Sequence, residues 1–115
     1  MTVHGQHYWA SRFTADVSQL EQRRQAALKQ AHAAAAALRQ TWSEIEAIHL
    51  FGSVLDERFR DHSDLDLLVE GLPAAALIDA IGLAETSGLL PVDLKRREDF
   101  SKDLAERLLR RSQTL

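Results

Sequence analysis

Leu50-Phe51-Gly52-Ser53 is followed, after ten residues, by Asp64-Leu65-Asp66-Leu67-Leu68-Val69. A hydrophobic run ends at a Gly-Ser corner, a polar excursion follows, and a second hydrophobic run carries two carboxylates two residues apart. In a strand, residues i and i+2 share a face. Asp64 and Asp66 therefore stand side by side, while Leu65, Leu67 and Val69 line the opposite face. Two carboxylates crowded into an apolar strand are costly unless a cation sits between them. Aspartate ligands favour a hard, oxygen-seeking divalent ion such as magnesium.

A chain of 115 residues allows one domain and one modest core. The formal net charge is −3, so no basic field argues for direct nucleic-acid binding. Cysteine is absent, which excludes disulfides and thiolate metal sites. The first residues lack the charged and apolar regions of a secretory signal. No apolar run approaches the roughly 20 residues that span a bilayer. The default expectation is a soluble, cytoplasmic protein.

Residues 1–13 read as an irregular, aromatic-tinged arm, and the domain boundaries expected are an arm at 1–15 and a body at 16–115. Ser18-Gln19-Leu20-Glu21 has the form of a capping box, with Thr14 as a rival N-cap. A helix then runs to about Gln40, with Leu20, Ala27, Leu28, Ala31, Ala34, Ala35, Leu38 and Trp42 at helical spacing. Ile45 to Phe51 reads as a strand, Val54 to Phe59 as the start of a short helix, and Leu65 to Val69 as a second strand. Pro73 suits the first turn of a helix reaching about Thr86, with Leu77, Ile78, Ile81 and Ala84 inward. Gly88 is a plausible terminator. Leu89 to Leu94 reads as a third strand. Ser101 caps a last helix whose apolar stripe is Leu104, Leu108 and Leu109. The order is that of an α/β layer with a small twisted sheet.

Gly52-Ser53, ten residues, Asp64-x-Asp66 and a later strand aspartate, Asp93 in Pro91-Val92-Asp93-Leu94, resemble the signature of minimal nucleotidyltransferases. These are the smallest members of the superfamily with the DNA polymerase β palm. The resemblance covers roughly residues 20–115, and Val69-Glu70-Gly71-Leu72-Pro73 fits it as well. It implies a palm-like fold with a small mixed sheet, flanking helices and a long N-terminal helix. It implies that Asp64, Asp66 and Asp93 hold magnesium, in a two-ion site, and carry the catalysis, with ATP as substrate. Asp93 would orient or deprotonate the attacking hydroxyl.

Gly52 lets backbone approach a ligand closely, N–H groups at a following helix start attract phosphate, and the Ser53 hydroxyl can add one donor; the alternative is a plain strand-to-helix turn. Many relatives place Arg-Gly three and four positions after the serine. Here Asp56 and Glu57 stand there, an acidic pair that would repel a triphosphate. Arg58 and Arg60 are candidates to take over the phosphate contact, or are solvated charges. Lys95, Arg96 and Arg97 form a basic cluster after Asp93, of the kind that is usually solvated. His4, His7, His32, His49 and His62 form no convincing site; His49 reads as a packed or hydrogen-bonded strand residue, and His62 lies near the Asp doublet. Trp9, Phe13 and Trp42 read as packing or interface residues.

The implied activity is transfer of AMP from ATP to an acceptor hydroxyl. The domain is too small for a second substrate lobe, so a partner would bring the hydroxyl. This is similar to the MNT antitoxins of HEPN/MNT toxin–antitoxin modules, in which the family adenylylates a tyrosine of a helical HEPN ribonuclease toxin. Two other readings stay open: a non-catalytic module that masks its partner stoichiometrically, which the three carboxylates argue against and Asp56 and Glu57 keep open, and a small-molecule nucleotidyltransferase of the aminoglycoside-modifying type. The long helix and its aromatic arm are expected to contact another chain through residues 1 to about 24, either a second copy or the helical partner.

Overall fold

The computed structural model describes residues 2–56, 59 and 63–115, with side chains described from residue 16 onward. Helix α1 spans Thr2–Thr41. Alanine has the highest helix propensity, and the alanine-rich stretch gives α1 a buried edge of small residues: Ala27, Ala31, Ala34 and Leu38, all fully buried. The spacing of four, three and four keeps them on one face, which packs on helix α2 (Leu77–Glu85). Ahead of Leu20, Asp16 to Gln19 are all exposed. At about 1.5 Å per residue a helix of this length runs about 60 Å, close to the 64 Å long axis of the molecule.

The capping box at Ser18 does not form. Helix backbone begins at Thr2, so residues 2–13, expected to be irregular, are helical. A cap needs non-helical backbone at its first residue, and no proline precedes Ser18 to break an established helix. Extending a formed helix is far easier than starting one. The side chains of His4, His7, Trp9 and Phe13 lie outside the described residues.

Four strands, β1 (Ala47–Phe51), β2 (Leu65–Glu70), β3 (Val92–Arg96) and β4 (Gln113–Thr114), lie in the order β3-β2-β1-β4. β1 runs antiparallel to β2 and to β4, and β2 runs parallel to β3. Leu65, Leu67 and Val69 of β2, Ile48 and Leu50 of β1, and Val92 and Leu94 of β3 are buried against α1 and α2 in one core. Burying each such side chain contributes about 1.5–3 kcal/mol. A one-residue slip would expose the whole set, so this pattern fixes Asp66 and Asp93 on the other face. Helix α3 (Lys102–Arg110) contacts β1, and its Ala105 is buried outside the main core, as is Leu68 on the Asp66 face of β2.

Several boundaries differ from the sequence reading. β1 starts at Ala47, because Ile45 N–H turns back to Trp42 O. Pro73 precedes a 3-10 turn at Ala74–Ala76, and α2 proper starts at Leu77. Its inward edge is Ala76, Ala80 and Ala84; Ile78, expected inward, is 83% exposed because it lies off that i,i+4 row. β3 starts at Val92 rather than Leu89. The buried Gln30 amide clasps the preceding loop, accepting from Leu90 N–H at 2.9 Å and donating to Leu90 O at 3.0 Å. Leu89 is fully exposed, and Pro91 has no N–H for a ladder. Gly88 lies after the helix end, against Gln30, rather than at the C-cap, which is Thr86. Ser101 caps α3 as expected, accepting from Leu104 N–H at 3.2 Å. Leu104 itself is exposed, and the inward side of α3 is Ala105 with Leu108 and Leu109 partly covered. β4 was not foreseen; two polar residues carry no strand periodicity.

Candidate active site

Gly52 follows directly on β1, with φ 88° and ψ −161°. This is backbone that side-chain-bearing residues avoid. The space is closed as well, since a Cβ there would land on Asp66 Oδ2. Ser53–Leu55 then forms one 3-10 turn, and Asp56 is extended; residues 57 and 58 of the helix expected from Val54 to Phe59 lie outside the described residues. A single turn has little macrodipole to offer an anion. Two anchors hold the corner. Val54 is fully buried, and Arg24 of α1 donates from Nε to Val54 O at 2.8 Å.

Asp66 sits opposite Phe51 on β1 and opposite Asp93 on β3. Adjacent strands lie about 4.8 Å apart, and register partners present their side chains to the same face, so these two carboxylates are neighbours. Burial pushes the Asp66 carboxyl above its ordinary value, and the charges of Asp93 and Asp64 push it further, with Lys95 acting in opposition. Asp64 precedes β2 and is exposed. It acts from the mouth of the strand rather than from within it, as the sequence had suggested. Lys95, two residues along β3 from Asp93, donates from Nζ to Asp93 Oδ2 at 2.6 Å.

The rest of the expected basic cluster is elsewhere employed. Arg96 donates to Leu72 O at 2.8 Å and pairs with Asp99 at 2.6 Å, and Arg97 opens a 3-10 turn. Lys95 alone of the three stands beside the carboxylates. Arg58, Arg60, Glu57 and His62 lie outside the described residues. His49 is buried in β1, with Nε2 2.7 Å from Glu70 Oε2 and Nδ1 3.2 Å from Thr114 Oγ1, a hydrogen-bonded strand residue as expected.

The carboxylate set is rich in hard oxygen donors and short of positive charge. Asp66 is raised first by burial and then by its two carboxylate neighbours, a set that suits a divalent cation. Among the described residues, no three His, Cys, Asp or Glu side chains converge tightly enough to cage an ion unaided. The sequence reading missed what faces the corner from α3. Arg107 and Arg111 border, with Gly52 and Phe51, a cleft of about 440 Å³. In the sequence they look like the cations that commonly finish a helix, and nothing in their spacing reveals the neighbour.

An antiparallel pair joined through a Gly-Ser corner, a parallel third strand and aspartates at the adjoining strand ends define a polymerase β-like palm. The chain belongs to the nucleotidyltransferase domain family, whose model matches residues 33–114. No curated protein sequence matches it significantly. Solved structures share its fold, among them the following three. One is a toxin–antitoxin complex with AMP-PNP (21% identity, 72% of this chain and 69% of that one, TM-score 0.63). A second is the tri-AMPylated Shewanella oneidensis HEPN toxin in complex with MNT antitoxin (19%, 76% and 70%, TM-score 0.59). A third is described as a minimal nucleotidyltransferase (26%, 85% and 94%, TM-score 0.57). The likeness to these structures is one of fold, over 72–85% of this chain.

Proposed function

We propose that this chain transfers AMP from ATP to an acceptor hydroxyl with magnesium as cofactor, and that the acceptor is a tyrosine of a HEPN ribonuclease toxin. The observation that carries the reading is the cross-strand pair Asp66–Asp93 with Gly52 closed against it. Magnesium commonly takes one or two carboxylates and completes its octahedral shell with water and substrate phosphates. Asp66 and Asp93, with Asp64 at the strand mouth, suit that mode. When bound, the cation would neutralise the phosphates and stabilise charge on the attacking and leaving oxygens.

The chain's own residues divide the remaining work. Gly52 removes the Cβ that would keep a ligand from the Asp66 carboxylate, and the buried Val54 holds the corner still. Asp93 accepts a hydrogen bond from the incoming hydroxyl, orienting it towards the α-phosphorus and receiving its proton. Lys95 holds Asp93 in place through its 2.6 Å contact. The bond from the attacking oxygen to the α-phosphorus forms as the bond to the pyrophosphate oxygen breaks. Positioning and charge supply most of the acceleration.

The proposed acceptor is a hydroxyl that a partner presents to the palm formed by the described sheet and helices. The fold shared with the MNT antitoxin complexed with a tri-AMPylated HEPN toxin supports that partner. Incubation with α-labelled ATP, magnesium and a co-expressed HEPN protein should label the partner, and a tyrosine-to-phenylalanine change there should remove the label. Asp93→Asn should slow single-turnover transfer by about a hundredfold or more while altering ATP affinity only a few-fold. Equal losses in rate and affinity would make Asp93 a binding group only, and a chain that silences its partner in cells without labelling it would replace catalysis with stoichiometric masking.

A further inference from the structure

The cleft beside Gly52 is built from two elements far apart in sequence. The corner after β1 contributes Phe51, Gly52, Leu55 and Asp56, and the end of α3 contributes Arg107 and Arg111. Its volume, about 440 Å³, falls within the range of small-molecule sites. Gly52 belongs to both places, since one side of it closes on Asp66 and the other opens into this cleft. The cleft therefore adjoins the carboxylate site at Gly52, although Asp64, Asp66 and Asp93 do not line it.

Arg107 and Arg111 are spaced i,i+4 and so share one side of the helix. Both are exposed, and neither has an ion-pair partner among the described residues. Compensation of the helix dipole explains cations at this end in general, and Arg110 would serve that purpose equally. It does not explain why the two that share a face are the two bordering Gly52. Asp56, from the segment after the corner, lines the same cleft. Two guanidiniums facing one carboxylate leave the described lining of the cleft net positive. Guanidinium groups match phosphate oxygens with paired donors.

We propose that Arg107 and Arg111 bind the phosphate chain of the nucleotide, supplying from α3 the positive charge that the segment after the Gly-Ser corner lacks at Asp56. This rests on the nucleotidyltransferase reading above and adds two positioning residues to it. Neither exchanges a proton or bonds to a reacting atom; they fix the leaving end of the triphosphate while Asp66 and Asp93 act on the other.

Calorimetric titration of the full chain with magnesium–ATP, and separately with magnesium–tripolyphosphate, tests the assignment. In the double variant Arg107→Ala, Arg111→Ala, affinity for both should fall at least tenfold. The salt dependence of the remaining binding should become shallower, because exposed charge pairs are the ones that salt screens. Arg110→Ala should leave both affinities within twofold of wild type. Should the alanine pair lose its melting transition, Arg107→Gln with Arg111→Gln keeps most of the stem and gives the same comparison. Unchanged affinity for tripolyphosphate in a folded double variant overturns the inference and leaves the nucleotidyltransferase reading standing, since wild type still binds ATP. A wild-type chain that binds neither ligand overturns both.

Discussion

Gly52 lies against Asp66 so closely that a Cβ on residue 52 would occupy the place of Asp66 Oδ2. The backbone there, at φ 88° and ψ −161°, is also in a region that is essentially glycine's alone and that costs a side-chain-bearing residue about 1–3 kcal/mol. Gly52→Ala is expected to lose stability by at least that amount and transfer rate by about a hundredfold or more, since misplacement of about 1 Å at a reacting centre costs that much. Ser53→Ala, which keeps the corner, should melt within a degree or two of wild type. Thermal melts and single-turnover label transfer on the two variants check the contrast.

Asp66→Asn should separate activity from stability in opposite directions. Burial and two neighbouring carboxylates raise the pKa of Asp66 in the folded chain. The folded state then holds its proton more tightly than the unfolded state does. Stability therefore falls as pH rises from the ordinary carboxylate range through the raised value, and the penalty is fully present above it. In chelator-containing buffer near pH 7 the asparagine variant should melt higher than wild type, and the gap should close near pH 3, where both forms are neutral. Its transfer activity should be abolished. A variant that melts lower at neutral pH would mean that Lys95 outweighs the burial and the two carboxylates.

The site was legible where chemistry is written in spacing. Gly52, Asp66 and Asp93 meet because hydrophobic alternation in β2 and β3 fixes which face each carboxylate takes, and alternation is visible in sequence. Asp64 lies just ahead of β2, because the ladder begins only where Leu65 N–H finds Pro91 O; strand ends are set by partners, which sequence does not show. The Ser18 capping box misled because a cap signal matters only where the helix has not already formed. Ile78 misled because a nine-residue helix offers two nearly equal apolar edges, and the alanine edge fits closer to α1. Arg107 and Arg111 were invisible as site residues, since their relation to Gly52 exists only after α3 folds back over β1.

Gln30 shows how the core reaches the site from the far face. Its amide satisfies both backbone groups of Leu90, two residues before β3. Gln30→Ala would leave a part-buried N–H and C=O unpaired, at about 1–3 kcal/mol. Because Asp93 is carried on the strand that this clasp begins, transfer should fall together with the melting temperature. Hydrogen exchange at the Leu90 and Val92 amides would report the release directly. Protection equal to wild type at both would show that neighbouring contacts hold the loop without the amide.

The N-terminal part of α1 offers a test that spares the site. Asp16, Val17, Ser18 and Gln19 are four consecutive residues and cover a full helical turn, and all are exposed. Helix that has no buried side around its whole circumference has left the domain, and the first partly covered residue is Leu20. Long helices with no packed face are stabilised poorly on their own, so this segment gains most from a partner's surface. Removing residues 2–15 should change the melting temperature little, because the alanine edge from Ala27 to Leu38 remains. It should leave magnesium–ATP affinity within twofold of the full chain, since the stretch of α1 that holds the Gly52 corner, through Arg24 and Val54 O, is retained. Association with a second copy or with a helical partner should weaken at least tenfold, read by sedimentation and by pull-down of the truncated chain. A collapsed fold, or association unchanged, would show that those residues pack on their own domain.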